Sequence, residues 1–156
     1  MDWKPGRELT AFNALAREFD GIYHEIAVQL GLSDSAFLIL YVIAEFGDGC
    51  LQKEIAKQYY VSKQTINSAI KQLVAKGYLT MQQGRGRDMH LHLTPTGRQF
   101  VAQRIVPVFE WENRVFAALS QEERETLLRL TEKYVTLCWD TLPELLERDR
   151  KEPNVP

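Results

Sequence analysis

Long hydrophobic runs are missing from this sequence. The longest apolar stretch, residues 36–44, is far too short to cross a bilayer, so no membrane span is expected. Cysteine is scarce as well. Cys50 and Cys138 lie far apart, which excludes a disulfide framework and a paired-thiol metal site. Two thiols and no signal-peptide pattern predict a reducing, cytoplasmic setting. There is no Gly-x-Ser-x-Gly, no phosphate-cradling glycine loop, no His-Glu-x-x-His and no close acid–base carboxylate pair outside solvated helix faces. The sequence therefore predicts neither an enzyme nor a bound cofactor. Internal repeats and low-complexity segments are also missing. With 45% apolar residues among 156, the chain can build a real core.

Acidic residues are missing from one region in particular. Between Leu51 and Arg98 the chain carries Lys53, Lys57, Lys63, Lys71, Lys76, Arg85, Arg87 and Arg98, opposed only by Glu54 and Asp88, a net of +6. The remainder holds 11 basic and 19 acidic residues, a net of −8, which leaves −2 overall. A basic module inside an acidic frame is the pattern of a phosphate-binding surface on a soluble protein.

Apolar periodicity supplies the elements. Leu9, Phe12, Ala16, Phe19, Ile22, Tyr23 and Ile26 recur at helical steps and predict an amphipathic helix ending near Gly31. Ser33 or Asp34 caps a second helix, which stops at Gly47-Asp48-Gly49. A short helix over about 52–58 and a Tyr59-Tyr60-Val61 turn lead to a helix capped by Ser62 and ended by Gly77. Ile66, Ile70, Leu73 and Val74 form its buried stripe. Residues 78–82 and 88–93 read as two strands of a hairpin, with Arg85 and Arg87 at its tip and His90 and His92 on its exposed face. Gly84 and Gly86 are expected to supply unusual backbone angles in the turn. Thr94-Pro95 opens a long helix to about residue 119, bent at Pro107. Ser120 to Glu123 is a capping box for a last helix carrying Leu127, Leu130, Tyr134, Leu137 and Cys138, kinked or ended by Pro143.

The order of short helix, turn, capped helix and basic hairpin predicts a winged helix-turn-helix. The capped helix is narrow enough for a DNA major groove. On its outer side stand Ser62, Lys63, Gln64, Thr65, Asn67, Ser68 and Lys71, with Lys53 on the preceding helix. Gln64 and Asn67 match adenine edges, Lys63 reaches guanine, and the serines bond either. Arg85 and Arg87 reach phosphates or the neighbouring minor groove.

Four segments resemble the MarR family of bacterial regulators: residues 53–56 (Lys-Glu-Ile-Ala), 61–66 (Val-Ser-Lys-Gln-Thr-Ile), 76–79 (Lys-Gly-Tyr-Leu) and 91–97 (Leu-His-Leu-Thr-Pro-Thr-Gly). The resemblance implies a mainly α fold with a small β-hairpin wing, an α+β class. It implies one domain over residues 1–150, with a head at about 33–97, a helical dimerisation region at about 5–31 and 98–148, and a disordered tail at 151–156. It implies a homodimer reading a pseudo-palindromic double-stranded operator, often a repressor released by a small phenolic or lipophilic ligand or by oxidation. The family's wing carries an Asp-Arg-Arg-like run. Here Arg85, Gly86 and Arg87 stand in those places, so the usual Asp–Arg brace lacks its aspartate, and Asp88 is the local substitute.

For an effector, the sequence offers Tyr23, His24, Phe37, Tyr41, Phe109 and Trp111 as a pocket between the dimerisation helices and the head, against the simpler reading that they fill the core. Cys50, nearer a loop and expected to be the more exposed thiol, offers a redox alternative; Cys138 is expected to act as a small hydrophobe. His90 and His92 share a strand face but lack a third metal ligand. A winged-helix interaction module without DNA binding is the remaining alternative.

Overall fold

The computed structural model describes residues 4–151, with side chains from 4 to 147. The tail expected at 151–156 lies outside the described residues, apart from Lys151. Helix α1 spans Arg7–Gln29 and α2 spans Asp34–Phe46. Ser33 is the cap of α2, its Oγ accepting from the Ala36 N–H at 3.2 Å. Such a cap contributes about 1 kcal/mol. Helix α2 is apolar nearly all round and forms the centre of the core, with Ile39 and Leu40 fully buried.

Helices α3 (Gln52–Gln58) and α4 (Lys63–Ala75) follow. Between them Tyr60 takes a left-handed φ of 53°, which reverses the chain in few residues. Ser62 Oγ accepts from the Thr65 N–H at 3.1 Å and caps α4. Ile66, Ala69, Ile70 and Leu73 form the buried stripe of α4 against α2. Val74, expected in that stripe, is 42% exposed, because the stripe of residues 66, 69, 70 and 73 centres about 90° round the helix from residue 74.

Strands β1 (Leu79–Gln83) and β2 (Met89–Leu93) pair antiparallel, Leu79 opposite Leu93 and Gln83 opposite Met89. They begin one residue later than the sequence suggested. Tyr78 is outside the ladder and stacks on Phe100 at 4.5 Å. Leu51 bridges to His90 on the free edge of β2. That edge also receives residues 49 and 50: the Gly49 N–H donates to Leu91 O, and the Leu91 N–H donates to Cys50 O. The loop after α2 therefore covers the face expected to be open. His90 and His92 are half-buried, not exposed, and His90 Nδ1 lies 2.9 Å from Gly49 O.

Thr94 caps α5 (Pro95–Phe100), accepting from the Gly97 N–H at 2.9 Å. At Gly97 the chain meets the Tyr78 backbone so closely that an added Cβ would lie 2.0 Å from the carbonyl oxygen. Only glycine fits there. The bend expected at Pro107 is absorbed upstream, where residues Val101–Ile105 form a π-helical turn and the Val106 N–H donates to Val101 O. Proline cannot donate and its ring crowds the preceding turn, so widening the helix by one residue accommodates it.

Helix α6 (Val106–Ala117) leads to α7 (Gln121–Lys151). The capping box forms as expected: the Ser120 N–H donates to Glu123 Oε2 at 2.7 Å, and the Glu123 N–H to Ser120 Oγ at 3.2 Å. Helix α7 continues through Pro143, so of the two expected outcomes, a kink or an end, the helix does not end there. Two compact units result, one ending at Phe109 and one beginning at Glu110. The first holds the whole core; in the second, none of the described residues is buried.

Candidate nucleic-acid interface

Burial on one side of α4 fixes what its other side presents. With Ile66, Ala69, Ile70 and Leu73 inward, Ser62, Lys63, Gln64, Thr65, Asn67, Ser68 and Lys71 are all exposed. They are not equally available. Ser62 and Thr65 hydroxyls bond each other at 2.7 Å, and Ser68 Oγ donates to Gln64 O at 3.0 Å. Asn67 Oδ1 accepts from Gln52 Nε2 of α3. The side chains of Lys63, Gln64 and Lys71 make no hydrogen bond or ion pair among the described residues and remain open to a partner.

The wing turn is closed by the Gly84 N–H donating to Asp88 O at 2.8 Å and the Asp88 N–H donating to Arg85 O at 3.2 Å. Gly86 has φ +63° and supplies the left-handed residue. Gly84 does not: its φ lies outside that region, and a Cβ there would lie 2.8 Å from the His90 ring. Arg85 and Arg87 are exposed and pair with no described residue. Asp88 is taken by Lys53, whose Nζ is 2.7 Å from Oδ1. The wing is thus braced to α3 by a lysine, and Arg87 is left free. A recess of about 390 Å³ between α3, α4 and the wing gathers Lys53, Lys63 and Arg87 around Gln52, Asn67 and Asp88.

A second anchor lies at the base of the wing. Asp48 accepts from the Leu93 N–H at 2.8 Å and from Arg98 Nη1 at 2.6 Å, with His92 Nδ1 at 3.8 Å. Partial burial disfavours its ionised form, but these donors outweigh it and hold the carboxyl below the usual value.

Residues 30–88 match the family model described as the MarR family. The likeness to that family model is confined to this segment. The solved structures agree on the fold of most of the chain. The regulator NMB1585 from Neisseria meningitidis is 23% identical, with a TM-score of 0.76 over 89% of this chain and 99% of that one. A MarR protein from Peptoclostridium difficile is 21% identical, with a TM-score of 0.69 over 93% and 95%. MepR of S. aureus, solved as a DNA complex, is 20% identical, with a TM-score of 0.67 over 86% and 99%. No curated protein sequence matches the chain.

A cavity of about 440 Å³ opens between α1 and α2. Tyr23, His24, Phe37 and Tyr41 line it, as the sequence suggested, joined by Phe19, Asp20, Asp34, Leu38 and Tyr59. Phe109 packs edge-on against Tyr41 at 4.6 Å and is not in the lining; Trp111 belongs to the second unit. Tyr59 donates to Glu45 at 3.2 Å. Burial, then the Glu45 charge, pushes its phenol up to about 12. The thiols are reversed from expectation. Cys138 is exposed, whereas Cys50 is half-buried beneath the loop after α2 and donates to Gly47 O at 2.8 Å. Burial and the nearby Glu54 and Asp48 charges push the Cys50 thiol up, away from thiolate reactivity. Among the described residues no group of three His, Cys, Asp or Glu could hold a metal ion, and no single helix is long and apolar enough to cross a membrane.

Proposed function

We propose that this chain is a homodimeric, sequence-specific double-stranded DNA-binding regulator of transcription, a cytoplasmic repressor relieved by a small aromatic or lipophilic effector. The observation that carries the reading is the pairing of α4, whose polar side presents unengaged Lys63, Gln64 and Lys71, with a wing whose Arg85 and Arg87 are unpaired. A groove-reading helix needs free donors and acceptors on its outer side, and a wing that follows phosphates needs free cations. The known DNA complex of MepR, similar in fold, supports the same reading.

In this assignment α4 enters the major groove. Gln64 and Asn67 read bases, while Lys63, Lys71, Ser62, Thr65 and Ser68 complete the contact. Arg85 and Arg87 meet the flanking phosphates. Lys53 adds positive charge but is shared with Asp88. The head spans about 33–97, and the helices at about 5–31 and 98–148 form the dimer. Leu9 and Leu15 of α1 and Leu130 and Leu137 of α7 are 43–66% exposed in one chain. Apolar area of that extent needs cover, and a two-fold copy is the commonest one.

The test is binding to the DNA upstream of the chain's own gene, followed by anisotropy across several salt concentrations. Specific, salt-dependent binding is expected. Equal affinity for operator and random DNA, or no salt dependence, overturns the reading and leaves a protein-interaction module.

A further inference from the structure

We infer that the cavity between α1 and α2 selects an aromatic or lipophilic cation. The inference rests on the reading that this cavity receives the effector, and it adds the charge class of what enters.

Two features of the lining point the same way. Its walls are aromatic: Phe19, Tyr23, Phe37, Tyr41 and Tyr59. Four of these rings form a continuous series, with centroids 5.3 Å apart for Phe19–Tyr23, 6.4 Å for Tyr23–Phe37 and 5.8 Å for Phe37–Tyr41. Ring faces carry negative electrostatic potential and attract cations, at about 0.5–1 kcal/mol for each accessible contact. The second feature is charge. Asp20 and Asp34 line the cavity, and neither lysine nor arginine does. The one basic lining residue, His24, is already turned to Asp34, with Nδ1 2.8 Å from Oδ1. Behind the wall, the Tyr59 hydroxyl donates a hydrogen bond to the Glu45 carboxylate, so a third acid backs the site.

A carboxylate or phenolate entering here meets acidic side chains and no lysine or arginine in the lining, and loses its hydration besides. A quaternary ammonium or an aromatic cation meets ring faces and carboxylates together. The apolar walls accept its body, and the acids, being at the solvent edge, keep their own hydration while attracting the charge. The volume suits one small aromatic molecule, well within the range of ligand cavities.

The experiment uses the full-length protein without DNA, titrated with three probes of similar size: benzyltrimethylammonium, benzyl alcohol and phenylacetate. Binding is followed calorimetrically and by shifts of aromatic proton resonances. The cation is expected to bind about fivefold or more tightly than either other probe. Asp20→Asn and Asp34→Asn, both at exposed positions, are each expected to weaken the cation about threefold and leave benzyl alcohol unchanged. Asp20→Lys is expected to bring phenylacetate level with the cation. Equal or tighter binding of phenylacetate or benzyl alcohol by the wild type overturns the inference, as does saturable cation binding that neither Asn variant changes. Absence of cation binding in a protein that binds its operator overturns the inference alone. Selective cation binding in a protein that does not bind DNA supports it and overturns the regulator reading instead.

Discussion

The head and the terminal helices are built from the same kind of amphipathic sequence, yet they end in opposite states. In α2 and α4 the apolar stripe is consumed within one chain: Ile39, Leu40, Ile66 and Leu73 are fully buried. In α1 and α7 the stripe is just as regular and stays open, with Leu15 66% exposed and Trp139 52%. The reason is layering. Helix α2 lies against α1, α4 and the π-helical turn, so each head stripe has an opposing surface. Beyond Glu110 no described residue is buried. The head is a finished core that supports a surface; the terminal helices keep an apolar side exposed in the single chain.

The largest expected effect breaks this comparison at the open half. Leu130→Arg with Leu137→Arg places two charges on the apolar side of α7. Each leucine contributes about 1.5–3 kcal/mol when buried, and a two-fold axis counts each twice. Sedimentation velocity is expected to show dissociation, together with a sharply lower melting temperature. A wild-type chain that sediments as a stable folded monomer at micromolar concentration removes the dimer from the proposal.

Next in size is Gly97→Ala, which tests the finished half. The new Cβ would sit 2.0 Å from Tyr78 O, a backbone atom that cannot swing away. A loss of about 2–3 kcal/mol in denaturant unfolding is expected. A loss no larger than that of an exposed helical Gly→Ala change would show that α5 shifts freely against β1. Gln64→Ala follows, expected to weaken specific binding by about 1–3 kcal/mol while non-specific binding changes little. Equal affinity of mutant and wild type for the operator would mean that the reading side of α4 is assigned wrongly.

Asp48→Asn is smaller and carries a pH signature. The folded carboxyl lies below its usual value because the Leu93 N–H, Arg98 and His92 favour its charge, so the aspartate stabilises the fold above the unfolded pKa of about 3.9. That stability is lost as pH falls through the lower folded value. The variant is expected to be about 1 kcal/mol less stable at neutral pH, with the gap to wild type closing below about pH 4. A gap that stays constant down to pH 3 would show that shape, not charge, anchors the wing base.

What was legible in the sequence was local. Ser33, Ser62, Thr94 and the Ser120–Glu123 box cap helices through bonds spanning three residues, and all four were readable from neighbouring letters. The helical stripes were readable for the same reason, and with the four short motif segments they led to the fold. What failed depended on distant partners. His90 and His92 alternate correctly for an exposed strand face, but the loop at Gly49 comes to cover them. Cys50 lies in that same loop, which Leu91 of β2 anchors by donating to the Cys50 carbonyl. Asp48 finds Arg98 fifty residues away, and Gln52 finds Asn67 across the turn. Pro143 left a kink or an end open, and α7 runs on through it. In the cavity, the aromatic walls were half legible, but Asp20, Asp34 and Tyr59 carry no linear signal that they meet there.

The smallest expected effect concerns the brace between α3 and the wing, and it sharpens what the head surface does. Lys53 was expected to contact DNA, but its Nζ is 2.7 Å from Asp88 Oδ1. The lysine side chain is 59% exposed and the aspartate 31%, so the pair belongs with surface ion pairs worth about 0–1 kcal/mol. Its value to function is positional: Asp88 follows Arg87, and holding one orients the other. Asp88→Asn separates the two roles by sign. If the pair positions the wing, the variant frees Arg87 to wander, and specific affinity falls about twofold to fivefold although a negative charge has been removed from beside the DNA. If Lys53 instead serves as a phosphate contact held back by Asp88, the same substitution releases it. Affinity then rises for specific and random DNA alike, and the salt slope steepens by about one. The positional outcome is the expected one, measured by anisotropy titrations at several salt concentrations. Arg87→Ala should then lose most of its effect in the Asp88→Asn background, since an arginine no longer held in place has little left to lose.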